Sequence, residues 1–253
     1  MIELIQKKHL KGFGKDCKWD DLMICAAMLA GGIGTRLKQG KPKQFVDING
    51  KPILVHSVET FLKVNELDKI IVSSPKECII KTKELMKEYF PQEDRIVVIE
   101  GGATRNDTIL NSIQYMKDLN CEKDSILVTH DATRIFVSEK LIEDSIKYAL
   151  EVGAASPVIP ATDVIFESKE EGKLTDIPLR KYLCHSQTPQ SFNIDKFLEI
   201  YEDLSEDEID KLDEAMMLFY LRDADVKLFP GDSINFKITR PFDITLAEAI
   251  FKK

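Results

Sequence analysis

Apolar residues fall along this chain in two alternating patterns. Short continuous runs, ICAAML, KIIVSS, RIVVIE, SILVTH and AASPVIP, are bounded by charged or turn-forming residues. Uninterrupted apolar runs of this length suit strands covered on both faces, as in a parallel sheet. Between them the apolar positions recur near helical spacing. PILVHSVETFLKV aligns Ile53, Val58, Phe61 and Leu62, with Pro52 at a first-turn position. CIIKTKELMKEYF, TILNSIQYMKDL and SEKLIEDSIKYALEVG follow, and in the last of these Ser138 reads as a cap and Gly153 as a stop. This alternation predicts an α/β fold with a doubly wound, mostly parallel sheet of Rossmann-like type. Sheets of this kind bind ligands at the carboxyl ends of their strands.

The pattern changes after Pro160. Two short β-prone pieces surround the charged turn SKEEGK, which predicts a protruding hairpin arm over about 160–185. Helices are expected over FNIDKFLEIYEDL and SEDEIDKLDEAMMLFYL, the second opening with Ser and acids as a helix start prefers. VKLFP and INFKIT read as late strands and PFDITLAEAIFKK as a closing helix. The division expected is an N-terminal extension over 1–21 and one domain over 22–253.

Composition narrows the chemistry. The 253 residues are 43% hydrophobic and 31% charged, which fits a soluble, ordered chain. A net charge of -8 argues against nucleic acid or an anionic membrane as partner, so any site for an anion must be local. No apolar run approaches the roughly 20 residues of a spanning helix, and no leader pattern opens the chain. A cytoplasmic location is expected. The five cysteines are scattered without a CxxC pair, so neither a zinc site nor a disulfide framework is implied.

The candidate anion site is LAGGIGTRLKQGKPKQF, directly after the first strand. It is not a P-loop, because Pro42 stands where the magnesium-binding hydroxyl should be. It is not a dinucleotide fingerprint either, since Leu37 stands where the third glycine is required. What remains is a glycine-rich turn in which Gly31, Gly32 and Gly34 let the backbone approach a phosphate chain. Arg36 and Lys43 supply positive charge beside it, while Lys38 and Lys41 add to the local field.

Taken in order, LAGGIGTRL…KPKQF, EGGATRNDTI, HDATRIF, QTPQSF and NFKITRPFDITLAE resemble the cytidylyltransferases of the IspD type, and more closely their ribitol-5-phosphate branch. The resemblance implies transfer of CMP from CTP to D-ribitol 5-phosphate, giving CDP-ribitol and pyrophosphate, a step in teichoic acid synthesis. A substrate phosphate attacks the α-phosphorus directly, without a covalent enzyme intermediate. It also implies magnesium or another divalent cation, with Asp131 as its ligand. Arg36, Lys43 and Lys237 resemble the catalytic cations. Leu29, Ala30, Gly31, Gly32 and Gly34 resemble the segment around the nucleotide, and Gly101, Gly102 and Thr108 the turn that reads cytosine. Arg105 is implied as support for that turn. Arg134, Asp163 and Arg180 resemble contacts to the acceptor, with the arm crossing to a second copy in a homodimer.

Three positions depart from the family pattern. Ile135 replaces a proline, Glu214 stands for an aspartate, and Ile234 precedes the Asn of the NxK motif where the methylerythritol-phosphate enzymes carry Asp. An apolar residue at 234 points to the ribitol branch. Two other readings remain open: 2-C-methyl-D-erythritol 4-phosphate as the acceptor, or a nucleotide sensor without catalysis.

Overall fold

The computed structural model describes residues 22–31, 42–121 and 123–252. The chain opens with β1 (Ile24–Leu29), a small hairpin of β2 (Asp47–Ile48) and β3 (Lys51–Pro52), and α1 (Ile53–Leu62). Next come β4 (Lys69–Ser74), α2 (Ile79–Tyr89), β5 (Ile96–Glu100), α3 (Arg105–Asp118), β6 (Ile126–Asp131), α4 (Glu139–Val152) and β7 (Ala154–Pro160). After the arm lie β8 (Cys184–Ser186), β9 (Gln190–Asn193), α5 (Ile194–Glu202), α6 (Glu206–Ile209), α7 (Ala215–Tyr220), β10 (Lys227–Pro230) and α8 (Pro241–Phe251).

The main sheet runs β10-β7-β9-β6-β1-β4-β5, with β8 paired to β7. Strands β6, β1, β4 and β5 are mutually parallel. Strand β9 is antiparallel to both its neighbours, and β10 runs parallel to β7. The mostly parallel α/β architecture therefore stands as expected. In β1 the side chains alternate between faces: Ala26 and Met28 pack with Leu54, Val58, Phe61 and Ile142. Cys25 and Ala27 pack with Ile109, Ile113, Phe192 and Phe197 on the other face. Burial on both faces is why these strands read as unbroken apolar runs. Helix α4 has the caps its sequence announces: Ser138 Oγ accepts from Leu141 N–H, and Gly153 closes it at φ +106°.

Three local expectations differ from the structure. INFKIT forms no strand: its backbone is held by isolated bonds, Ile238 N–H to the Thr133 carbonyl and side chains on the Asn235 carbonyl, instead of a ladder. Gln187 Nε2 and Arg134 Nη1 both donate to the Asn235 carbonyl, at 3.3 and 2.8 Å. The stretch SEDEIDKLDEAMMLFYL is not one helix but α6 and α7. It breaks where Asn106 Nδ2 takes the Leu212 carbonyl at 3.1 Å and Glu214 is extended at φ −152°. The antiparallel β9 is an element the apolar pattern did not announce.

The arm is a loosely bridged hairpin, pairing Glu167 with Asp176 and Glu170 with Lys173. It turns at Gly172, whose φ of +74° suits glycine. Phe166, Leu179 and Tyr182 on it are all more than 60% exposed.

Candidate active site

Sheet register brings the sequence motifs to one edge. Leu29 at the end of β1 lies opposite Asp131 at the end of β6 and Ser73 near the end of β4. Ala30 N–H donates to the Ser73 carbonyl at 3.1 Å, and Gly101 N–H donates to the Ser74 carbonyl at 2.9 Å. The start of the glycine loop, the Gly101–Gly102 turn and Asp131 thus share the carboxyl edge of four adjacent strands, β6, β1, β4 and β5. Leu29, Ala30 and Gly31 are placed there, and a Cβ at Gly31 would meet nothing within 4 Å. Gly32, Gly34, Arg36, Lys38, Lys41 and the extension over 1–21 lie outside the described residues.

Asp131 is the centre of a buried ion cluster. Arg105 Nη1 donates to Oδ1 at 2.7 Å. Arg134 Nε and Lys237 Nζ approach Oδ2 at 3.3 and 3.0 Å. Burial by itself would raise the pKa of this carboxyl. The charges of Arg105, Lys237 and Arg134 overcome it and hold the group well below the usual carboxylate range. Three cations on one carboxylate leave a formal surplus of two positive charges in a chain whose net charge is -8. Arg105 Nε is also buried without a hydrogen-bond partner among the described residues. Such a cluster draws a polyanion.

The neighbours of Asp131 fix its position. Its backbone N–H donates to Thr188 Oγ1 at 3.1 Å. Thr188 Oγ1 also lies 3.1 Å from His130 Nδ1, and His130 Nε2 lies 3.1 Å from the Arg134 carbonyl. A carbonyl only accepts, so Nε2 carries the proton and Nδ1 accepts from the threonine hydroxyl. Burial pushes His130 down to about 4, which keeps the imidazole neutral. Asn235 Nδ2 donates to the Thr188 carbonyl at 2.9 Å, so Asn235 is structural support for the segment that carries Lys237.

Lys43 is buried in a short 3₁₀ turn, Lys43–Phe45. Val46, just after that turn, packs in one cluster with Ile135 beside Arg134 and Ile238 beside Lys237. The segment bearing Lys43 is therefore anchored to the segments that bear Arg134 and Lys237. Ile135, in place of a proline, fills this cluster at 5% exposure, which gives Arg134 a packed footing where a fixed φ would otherwise serve.

The Gly101–Gly102 turn is closed by Thr108. Its Oγ1 accepts from Gly102 N–H at 3.0 Å and donates to the Thr104 carbonyl at 2.9 Å. One lone pair stays available to accept from an amine. A Cβ on Gly102 would overlap Asp107 and lie 2.6 Å from its carbonyl carbon and 2.8 Å from Thr108 N. Asp107 cannot move freely, because it and Thr104 form the capping box of α3. Gly102→Ala should therefore cost about 1–3 kcal/mol of stability, read by thermal denaturation. An unchanged melting temperature would show that the turn yields without strain.

Asp163 and Arg180 are exposed on the arm, where Arg180 Nη1 donates to the Thr162 carbonyl at 2.8 Å. Among the described residues, no ion pair or hydrogen bond joins either of them to the Asp131 cluster. Arg105 was expected as support for the base-reading turn, and the structure gives it a direct ion pair to Asp131 as well. Nothing in the spacing of TRND announces a partner 26 residues away. Thr188 and Gln187 likewise take hydrogen-bonding roles that QTPQ alone does not reveal.

For a magnesium ion the donor set is one hard carboxylate. No group of three or more His, Cys, Asp or Glu gathers among the described residues. Magnesium can take one or two carboxylates and complete its shell with substrate phosphates and water, and at this edge the carboxylate is Asp131, both of whose oxygens pair with cations.

A cationic cluster at the strand ends of a mostly parallel sheet, where the glycine-rich segment begins, marks a nucleotidyltransferase-like α/β protein. Residues 24–253 match the IspD family, described as 2-C-methyl-D-erythritol 4-phosphate cytidylyltransferase, and the chain belongs to that family. It is a cytidylyltransferase, an enzyme of the nucleotidyltransferase class. Among solved structures, 4-diphosphocytidyl-2C-methyl-D-erythritol synthase from Anaerococcus prevotii is 26% identical with a TM-score of 0.78, covering 92% of this chain and 98% of that one. 2-C-methyl-D-erythritol 4-phosphate cytidylyltransferase from Francisella tularensis (22% identical, TM-score 0.75, 90% and 99% covered) shares the fold. So does the Thermus thermophilus protein of that name (23%, 0.68, 91% and 100%). No helix among the described residues is long and apolar enough to cross a membrane.

Proposed function

We propose that the protein transfers CMP from CTP to an alditol phosphate, releasing pyrophosphate, with 2-C-methyl-D-erythritol 4-phosphate as the acceptor. The observation that carries the transfer is the cationic surplus around Asp131 at the strand edge where the glycine loop begins. An acceptor phosphate and a triphosphate are both anions, and bringing them into contact needs fixed positive charge on both sides of the reacting phosphorus. The family match supports the methylerythritol acceptor over ribitol 5-phosphate.

In this reading the backbone from Ala30 through Gly34 wraps the triphosphate, with Arg36 and Lys43 on its outer phosphates. Lys237 neutralises charge that develops on the α-phosphate, and Arg134 holds the acceptor phosphate. The Gly101–Gly102 turn, with the open lone pair of Thr108, accepts from the cytosine amine. Asp131 holds magnesium, which when bound adds charge neutralisation to the phosphates. Asp163 and Arg180 act on the acceptor from a second copy, and the exposed apolar side chains of the arm favour such a homodimer.

One observation favours the ribitol reading. Ile234 is 40% exposed where a carboxylate stands in the methylerythritol enzymes. The nearby Asp232 Oδ1 is spent accepting Ile234 N–H at 3.0 Å. Assaying both acceptors side by side with CTP, following pyrophosphate, tests the choice. We expect methylerythritol phosphate to be preferred by at least about tenfold in kcat/KM, as one misfitted polar contact alone gives. Preference for ribitol 5-phosphate would replace the acceptor. CTP binding without pyrophosphate release from either would favour a sensor.

A further inference from the structure

We propose that Glu214, braced by Gln190 and Ser186, binds the hydroxyl groups of the acceptor's carbon chain and so decides which end of the acceptor meets the cations. This rests on the reading above that the acceptor is an alditol phosphate.

Glu214 is the residue before α7 and makes no side-chain cap to that helix. Its Oε2 instead accepts from Gln190 Nε2 at 3.2 Å and from Ser186 Oγ at 3.3 Å. Gln190 is fully buried, and the same amide nitrogen reaches Ser186 Oγ at 3.1 Å and Ser156 Oγ at 3.3 Å. Its Oε1 is buried with no partner among the described residues. An unsatisfied buried carbonyl is unfavourable. What this amide orientation achieves is to fix one oxygen of Glu214. The other oxygen takes no hydrogen bond among the described residues, and Glu214 is only half-buried.

The place is suitable. Ser186 and Gln190 flank Thr188 by two residues on either side, and Thr188 is the residue that holds the Asp131 amide. A carboxylate accepts strongly from hydroxyl groups and repels phosphate. An alditol phosphate between the two sites is therefore oriented in one sense only, phosphate toward Arg134 and Lys237, hydroxyls toward Glu214 and Ser186.

The test is steady-state kinetics of wild type, Glu214→Gln and Ser186→Ala with whichever of the two acceptors the wild type uses. Inorganic phosphate serves as a competitive inhibitor that carries no hydroxyl chain. For Glu214→Gln, KM for the acceptor should rise about tenfold, the loss expected for one charge-assisted hydrogen bond. KM for CTP, kcat and the inhibition constant of phosphate should stay within about twofold, since no transition-state contact is removed. Ser186→Ala should move the same constant in the same direction by less, and both variants should melt near wild type. An unchanged acceptor KM overturns the inference, as does a parallel rise in KM for CTP or in the phosphate constant. If the wild type is active and Glu214→Gln is indifferent, only this inference falls. A wild type that uses neither acceptor removes the alditol-phosphate reading and this inference with it.

Discussion

Asp131→Asn is expected to lower turnover by about 10²–10³-fold and the folding free energy by about 3 kcal/mol. The two losses have separate origins. Stability falls because Arg105 and Arg134, which are 23% and 12% exposed at the side chain, lose their counter-charge and are left facing each other and Lys237. Turnover falls because the carboxylate spaces the three cations that the proposed transfer uses. The variant makes a further claim that a merely structural aspartate would not. Three cations without their carboxylate should bind a polyanion more readily, so pyrophosphate should raise the melting temperature of Asp131→Asn more than that of wild type. Differential scanning fluorimetry with and without pyrophosphate, alongside CTP turnover, checks both parts. A folded Asp131→Asn with near-normal kcat would remove Asp131 from the chemistry, and an unshifted melting temperature would show that the ion pairs contribute nothing net.

The contrast between Asp131 and its surroundings shows what was readable from the residues. The strand that ends in Asp131 is an unbroken apolar run, and such runs are legible because a strand covered on both faces has no polar side to confuse the pattern. That placed Asp131 at a carboxyl edge, where β6 does end. The cap of α4 was legible because Ser138 and Gly153 act locally. Arg105 was not, because its ion pair depends on how α3 packs across β1, β4 and β5 so that its first residue reaches Asp131, and no local period encodes that. INFKIT misled for a related reason. Ile234, Phe236 and Ile238 alternate with Asn235, Lys237 and Thr239, which gives the stretch the look of a strand. Its backbone is held by Gln187 and Arg134 side chains, so a functional loop imitates a ladder it does not make. The split between α6 and α7 is the same kind of departure. Helical propensity there yields to the extended backbone that sends Glu214 toward Ser186 and Gln190.

Lys237→Ala should show the opposite division of effects from Asp131→Asn. Lys237 reaches the same Oδ2 at 3.0 Å, yet its side chain is 41% exposed, so the resting ion pair is screened by water. Losing it should therefore change stability by less than about 1 kcal/mol. In the proposed transfer its effect belongs to the transition state. Once a triphosphate and an acceptor phosphate fill the edge, water is displaced and the ammonium acts on charge developing at the α-phosphorus. A positioned cation lost at that stage costs about 10²-fold in kcat, with KM for CTP changed far less. Lys237→Arg keeps the charge but replaces a compact ammonium with a planar fork, and should recover only part of the rate. Single-turnover measurements with saturating CTP and acceptor give the answer directly. If Lys237→Ala raises KM for CTP and leaves kcat alone, the lysine serves binding, and the convergence of cations on the reacting phosphorus must be carried by Arg134 and the residues of the glycine loop instead.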